Sequence, residues 1–378
     1  MNIRILLTIC FLSFSPLAAS SGLVFQCEAP KLLALQSQIN AYLKKIGVSE
    51  NIYETKIQDK QLQYQLKNSH QDTSTLYLRW NPELNIQEEK IFLPSSEGFR
   101  EVSTVSKKEI ILALMQLGRQ TTFKGPACHF EALEDHIDVR QMIVAWAEHL
   151  HWTFPDGNSA KWNEAYWNEG TLKPGKPILE AMTDFFINPN QCSVGCYTAT
   201  KIVMIQGVLD YYQRIKKDFD KTNQIKKILR SDGEVLVGIE PESMWHFLNK
   251  DKNTRQTNGK LLTVQRDVAP LNFIPGDWVY FINTDEKSSN IPGYEGSNSI
   301  YMGRARFDDF YNDNDHYYFY HEKLKEVYNW RYGVFSRSRD YEKLQVLSSD
   351  LLHKLGLPPK HGGLILDTRS SPRLFGFE

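Results

Sequence analysis

A long helical pattern followed by β-type segments constrains this chain more than any other feature of its sequence. Apolar residues recur at helical spacing from Cys196 to Ile215, which predicts a helix. After a charged region come three segments with the character of strands, at 278–283, 298–302 and 316–321. Because these strands are not separated by alternating helices, the order predicts an α+β fold with antiparallel strands.

Cys196 begins the predicted helix, directly after a turn-like segment at 188–195. At a helix N-terminus, the unpaired backbone N–H groups and the positive end of the dipole favour a thiolate over a thiol. The same N–H groups can stabilise an oxyanion that forms when sulfur attacks a carbonyl group. The alternative is a small apolar residue buried at a helix start, and this feature taken alone favours that alternative.

A histidine on the last β-type segment is the preferred partner of this cysteine. A helix-start cysteine packed against a strand that carries a histidine is the arrangement of papain-type nucleophilic catalysis. His321 ends the alternating run 316–321 and is the predicted base. His316 lies five residues earlier and would project from the opposite face of a regular strand. The alternative interpretation makes His321 a surface residue.

The first 20 residues have the pattern of an export signal. Arg4 supplies a positive charge, residues 5–12 are mostly apolar, and small residues follow between Pro16 and Ser21. The apolar run is shorter than the ~20 residues that span a bilayer. We therefore expect a cleaved signal peptide, a periplasmic or secreted mature chain, and no stable membrane insertion after cleavage.

Four cysteines remain once Cys10 is removed with the signal. In an oxidising compartment Cys27, Cys128, Cys192 and Cys196 allow three pairings. A bridge from Cys27 to Cys128 would tie the mature N-terminus to the rest of the first domain, whereas the alternative is two buried free thiols. A bridge from Cys192 to Cys196 would silence the nucleophile. The sequence leaves these alternatives open.

The first half of the chain has a mixed pattern that predicts a separate α+β domain. The predicted helices are 29–46, 110–117 and 131–152, and the predicted strands are 61–66, 75–80 and 90–93. Ser106 and Glu109 form a capping-box pattern before the second helix. A turn cluster at 154–157 marks the boundary. We therefore divide the 378 residues into a signal at 1–20, an N-terminal domain at 21–157 and a catalytic domain at 158–378.

Net charge and ligand spacing argue against two classes of partner. A formal net charge of −1 provides no basic field for binding nucleic acid. The histidines near Cys128 do not have the spacing of a metal site: His149 and His151 are two residues apart and point to different faces of a helix. We interpret these residues, together with His129 and His136, as structural or solvated. No metal site and no cofactor are predicted.

Five blocks taken together resemble the bacterial spore-type protein-glutamine gamma-glutamyltransferases. They are 166–184, 196–200, 276–283, 296–303 and 318–321. Their order and spacing match that family from about Asn163 to Leu355, although no single block is specific and the first 160 residues match nothing in it. The resemblance implies a papain-like, cell-wall-amidase-like core in which Cys196 is the nucleophile and His321 is the histidine on the later strand.

Two glutamates of that family are absent from this chain. Gly195 stands where the family has a glutamate before the cysteine, and Ser297, followed by Asn298, stands where it has a catalytic glutamate. Glu295 could substitute after a loop shift, because residues i and i+2 share a strand face. Otherwise the cysteine and histidine would work as a dyad with Asn298 or Ser297 orienting the ring, or the domain would be inactive.

The resemblance implies acyl transfer from a glutamine carboxamide to a lysine amine through a cysteine thioester, with protein side chains as substrates. Water must be kept from the thioester, and we expect aromatic side chains to wall the substrate tunnel. The predicted substrate-binding residues are Trp278, Tyr294 and Tyr301. Two alternatives remain: an exported Cys/His cell-wall amidase or peptidase, and an inactive binding module in which Cys192 and Cys196 are bridged.

Overall fold

The computed structural model describes residues 21–67, 72–148, 150, 152–155, 158–244, 256–308, 310–311, 317–334 and 344–377. Within these residues the chain forms nine α-helices and 15 strands, so the predicted α+β class is confirmed. The predicted signal segment 1–20 lies outside the described residues. No helix in the described ranges is both long enough and apolar enough to cross a bilayer.

The helices are α1 Ala29–Lys45, α2 Lys107–Leu114, α3 Phe130–Ala147, α4 Ile178–Ile187, α5 Cys196–Asp210, α6 Phe219–Leu229, α7 Glu286–Ser289, α8 Tyr320–Asn329 and α9 Ser349–Leu355. The strands are β1 Gly22–Gln26, β2 Tyr53–Gln58, β3 Gln61–Leu66, β4 Glu89–Ser95, β5 Gly98–Thr104, β6 Gln120–Lys124, β7 Trp167–Asn168, β8 Thr171–Leu172, β9 Gln256–Asn258, β10 Leu262–Gln265, β11 Trp278–Ile282, β12 Gly296–Ile300, β13 Arg306–Asp308, β14 Tyr317–Phe319 and β15 Arg369–Pro372.

The first sheet has the strand order β2-β3-β1-β6 and carries α1 on one face. β1 pairs antiparallel with β3 and parallel with β6. The predicted helix at 29–46 and the predicted strand at 61–66 are confirmed, because their apolar periodicity matches the faces that they bury. A disulfide joins Cys27 to Cys128, with a Cα–Cα distance of 5.7 Å, and thereby ties the end of β1 to the start of α3.

The predicted strand at 75–80 is wrong. The segment is a turn followed by a short 3-10 helix, Leu78–Trp80. The Thr75 hydroxyl donates to the Phe273 carbonyl at 2.5 Å and accepts from the Phe273 N–H at 2.8 Å. These bonds fix the segment against a loop almost 200 residues away, so it does not pair as a strand. Segment 90–93 lies in β4, which forms a separate hairpin with β5.

The second sheet has the strand order β12-β11-β15-β10-β9, with antiparallel neighbours. Along β11, alternate side chains point to opposite faces. Trp278 and Tyr280 share one face with their cross-strand partners Ile300 and Asn298. The N-terminal end of α5 packs on this face, where the Tyr197 and Trp278 rings lie 5.6 Å apart.

The opposite face of the second sheet packs against α8. Val279 and Phe281 of β11 form an apolar cluster with Tyr320 and Leu324. The predicted strand at 316–321 is correct only for β14, because the chain turns into α8 at Tyr320. The Glu322 carboxylate accepts the Phe319 N–H at 2.8 Å and so caps the new helix.

The two halves of the chain share one buried core. α3 lies against α5 so closely that a Cβ at Gly207 would come within 2.8 Å of the Ile143 Cα. In addition, the Trp146 indole donates to the Asp210 carboxylate at 3.0 Å. Residue 157, the predicted domain boundary, lies outside the described residues, and the boundary stays a prediction. The contacts nevertheless place α3 beside the helix that begins at Cys196.

Candidate active site

Cys196 is the first residue of α5, and its side chain is half-buried. The first intrahelical bond of α5 runs from the Ala199 N–H to the Gly195 carbonyl at 2.9 Å. The N–H groups of residues 196–198 therefore have no acceptor within the helix. Gly195 has no side chain that could cap them. The sulfur thus lies at the positive end of the helix dipole.

A cavity of about 590 Å³ opens beside this sulfur. Three of the four predicted catalytic residues line it, namely Cys196, Glu295 and Asn298. They come from two elements that the fold brings together, the start of α5 and the start of β12. Aromatic rings also line the cavity: those of Phe154, Tyr197 and Tyr280.

Asn298 makes the direct contact with the nucleophile. Its Nδ2 donates to the Cys196 Sγ at 3.5 Å, while its Oδ1 accepts from the Trp278 Nε1 at 2.9 Å. Because an indole nitrogen can only donate, Trp278 fixes the amide with its oxygen away from the sulfur and its NH₂ group toward it. An amide cannot take a proton from the thiol. It can only orient the sulfur and stabilise negative charge on it.

Tyr280 lies on the same sheet face as Asn298 and was missed in the sequence analysis. Its ring covers Gly296, where a Cβ would come within 2.3 Å of the ring. Burial, and then the negative charges of Cys196 and Glu295, raise the pKa of Tyr280 well above its ordinary value. The hydroxyl therefore stays protonated and can act as a donor. The alternation of residues 278–282 was the signal that could have found it.

Glu295 is exposed and immediately precedes β12. Its carboxylate accepts the Gly293 N–H at 3.0 Å, which holds it in the turn before the strand. Of the described residues that line the cavity, Glu295 is the one that carries a carboxylate. It is therefore the available proton acceptor among them.

A buried polar cluster holds the first turn of α5 in place. The Tyr197 hydroxyl donates to the Glu240 carboxylate. Lys201, one turn further along, forms an ion pair with Glu240 at 3.5 Å, and its ammonium lies 4.1 Å from the centre of the Tyr197 ring. These contacts fix the wall of the cavity next to the sulfur.

The sequence profile of the family described as Protein-glutamine gamma-glutamyltransferase matches residues 85–312, which is more than half of the chain. The chain belongs to this family. It is a transglutaminase-like acyltransferase, and membership of this family implies protein substrates. The resemblance inferred from the five sequence blocks is therefore confirmed. The match begins at residue 85, so it includes α2 and α3, and the expectation that the first 160 residues have no counterpart was wrong for residues 85–160.

One solved structure that this transglutaminase family member resembles is "Transglutaminase from Geobacillus stearothermophilus (without C-terminal extension)". The two chains are 16% identical, with a TM-score of 0.37. The similarity covers 65% of this chain and 95% of the other. No curated protein sequence matches the chain significantly.

The structure does not bring His321 to Cys196. His321 is the second residue of α8 and is exposed. Its neighbours Tyr320 and Leu324 pack on Phe281, on the sheet face opposite the one that carries Asn298. The helix that carries His321 therefore packs on the sheet face opposite the one that faces the sulfur. The predicted role of His321 as the base has no support in this placement, and His316 lies outside the described residues.

The three predicted substrate-binding aromatics are core residues and do not line the cavity. Trp278 is buried behind Asn298, to which it donates. Tyr301 is buried in the cluster between β11 and α8, and Tyr294 packs edge-on against Trp330 in the same cluster. Aromatic residues flanked by apolar residues are expected both in a buried core and in a cavity wall. The sequence therefore could not distinguish between these two positions.

Cys192 and Cys196 are both free. Cys192 is buried, and this burial raises the pKa of its thiol to about 11. It therefore stays protonated at neutral pH and is no nucleophile. The bridge that would have silenced Cys196 is not formed. The described residues contain no group of three or more histidine, cysteine or acidic side chains placed to hold a metal ion.

Proposed function

We propose that this chain transfers the γ-glutamyl group of a protein-bound glutamine to a lysine amine through a thioester on Cys196. The observation that carries the proposal is the contact between the free Cys196 sulfur and the Asn298 amide, at a helix N-terminus that opens into a cavity. An amide donor fixed on one side and helix N–H groups on the other favour negative charge on the sulfur.

In the first half-reaction the sulfur attacks the carbon of the glutamine carboxamide. A C–S bond forms and the C–N bond breaks. Glu295 takes the thiol proton and delivers it to the departing nitrogen, which leaves as ammonia. The N–H groups of the first turn of α5 stabilise the oxyanion of the tetrahedral intermediate.

In the second half-reaction a neutral lysine amine attacks the thioester. A C–N bond forms, the C–S bond breaks, and Glu295 passes the amine proton to the sulfur. A free lysine amine has a pKa of about 10.4 and is mostly protonated at neutral pH, so it must lose its proton before it attacks the thioester. Phe154, Tyr197 and Tyr280 provide the aromatic wall that limits access of competing water.

Incorporation of a labelled primary amine into a glutamine-rich protein with blocked lysines tests this mechanism. We expect Cys196→Ala to abolish incorporation. Glu295→Gln should lower kcat by about 10²–10⁴-fold, which is the usual contribution of a positioned acid or base. His321→Ala is the matched control and should keep the wild-type rate, because its helix lies on the other sheet face.

Two outcomes would contradict the proposal. Release of ammonia by wild type without amine incorporation would assign the site to a hydrolase. A large loss in His321→Ala, together with an active Glu295→Gln enzyme, would restore histidine as the base and remove Glu295. Mass spectrometry of the acylated enzyme, trapped without amine, would locate the thioester on Cys196.

We also propose that the protein works in a periplasm or outside the cell. The pattern of residues 1–20 supports this, as does the Cys27–Cys128 disulfide, because disulfides persist in oxidising compartments. Fractionation of expressing cells, with N-terminal sequencing of the product, tests it. A mature terminus near residues 20–22 is expected, whereas a cytoplasmic chain that keeps Met1 would refute the proposal.

A further inference from the structure

A second cavity, of about 510 Å³, lies between the two main sheets. Its walls come from β6 of the first sheet, from β9, β10 and β15 of the second, and from α3. Among the described residues it shares no lining side chain with the cavity beside Cys196. The acyl-transfer mechanism leaves it without a role.

Among the residues that the structure describes, the lining of this cavity carries more positive than negative charge. Arg119 and Arg140 are 6% and 1% exposed, and both donate to the single carboxylate of Asp277, at 2.5 and 2.9 Å. Lys124 adds a third cation at the rim. None of the described lining residues is acidic. Within the described part of the wall, one guanidinium charge and one ammonium charge therefore remain without a carboxylate.

A buried hydrogen-bond donor in the same wall also lacks an acceptor. His136 is 5% exposed, and its Nε2 accepts from the Arg140 Nε at 2.9 Å. Burial, and then the charges of Arg140 and Arg119, hold the pKa of His136 well below its ordinary value, so the ring is neutral. The proton of a neutral ring whose Nε2 accepts must be on Nδ1. Among the residues that the structure describes, that Nδ1 has no hydrogen-bond partner.

We propose that this cavity binds a small organic oxyanion, with its carboxylate or phosphate at the His136 and arginine end. An oxyanion supplies the negative charge that the cations of the described lining lack. Gln265 and Ser371 offer polar groups to the body of the ligand, and Leu374 and Phe377 offer an apolar surface. The site is independent of the chemistry at Cys196.

Isothermal titration calorimetry of the full chain, at constant ionic strength, tests the proposal with three separate probes: glutamate, citrate and inorganic phosphate. Saturable binding of one equivalent is expected for at least one probe, and the probe that binds distinguishes a carboxylate ligand from a phosphate. Lys124→Glu should weaken that binding at least tenfold. Lys56→Glu, on the far edge strand β2 of the same sheet, is the matched control and should stay within twofold of wild type.

The ring of His136 provides a readout that does not depend on a substitution. With ¹⁵N-labelled histidine, saturation with the bound probe should shift the Nδ1–H signal of His136. The proposal is overturned if none of the three probes binds saturably, if both lysine variants weaken binding equally, or if the His136 signal does not move at saturation. Cys196→Ala should bind the probe as wild type does, which separates this result from the acyl-transfer test.

Discussion

The Cys27–Cys128 disulfide should contribute a large share of the stability of this protein. The two cysteines are 101 residues apart in sequence. In the chain-entropy relation, ΔS ≈ −2.1 − 1.5R ln n, a loop of this length gives about −16 cal/mol/K, or about 4.7 kcal/mol at 25 °C. Because whole domains are stable by only about 5–15 kcal/mol, loss of the bridge should be readily measurable.

The assay is denaturant unfolding followed by tryptophan fluorescence, with and without a phosphine reductant. Reduction of wild type should lower the free energy of unfolding by up to about 4.7 kcal/mol. The double variant Cys27→Ala/Cys128→Ala should be destabilised to a similar degree and should not respond to reductant. Cys192→Ala is the control: its thiol is free, so its response to reductant should equal that of wild type.

Two results would refute this reasoning. Reductant could leave the wild-type midpoint unchanged, which would mean that the bridge contributes nothing or is absent. Alternatively, the denatured but unreduced mature chain could titrate four thiols instead of the two that belong to Cys192 and Cys196.

Three further predictions concern the core and the site. Asp277→Asn leaves two buried guanidinium groups without their carboxylate and should cost about 3–5 kcal/mol in unfolding free energy; an unchanged midpoint would contradict this. The pKa of His136 is lowered in the folded protein, so below pH ~6.5 the unfolded chain binds a proton that the folded ring does not. The free energy of unfolding should therefore fall by up to about 1.4 kcal/mol for each pH unit below ~6.5. Denaturant titrations at pH 7.5 and pH 5.5 measure this fall, and equal free energies at the two pH values would contradict the prediction. Trp278→Phe removes the N–H that orients Asn298 and should lower kcat about tenfold with little change in KM, as one lost hydrogen bond of about 1.4 kcal/mol implies; a change in KM alone would count against the positioning role.

Local patterns predicted the elements whose burial follows from their own sequence. The helix at 29–46 and the strand at 61–66 bury the faces that their periodicity predicts. The helix predicted from Cys196 also forms, over Cys196–Asp210, but it is buried on all sides from Ala199 onward. The segment at 75–80 has an equally good strand pattern but docks through Thr75 onto Phe273. The six residues of this segment contain no signal that could predict its contact with the distant Phe273.

The sequence by itself determined that Cys196 starts a helix and that Trp278 and Tyr280 share a strand face, because both facts follow from spacing along a few neighbouring residues. Tertiary structure alone decided that Cys27 pairs with Cys128 and that Asn298 meets the sulfur. It also decided that the helix carrying His321 packs on the far side of the sheet. Each of these outcomes depends on contacts between residues that lie tens to more than a hundred positions apart in the sequence. The burial of the whole core offsets the entropy that is lost when such long loops close, so no local sequence pattern predicts these contacts.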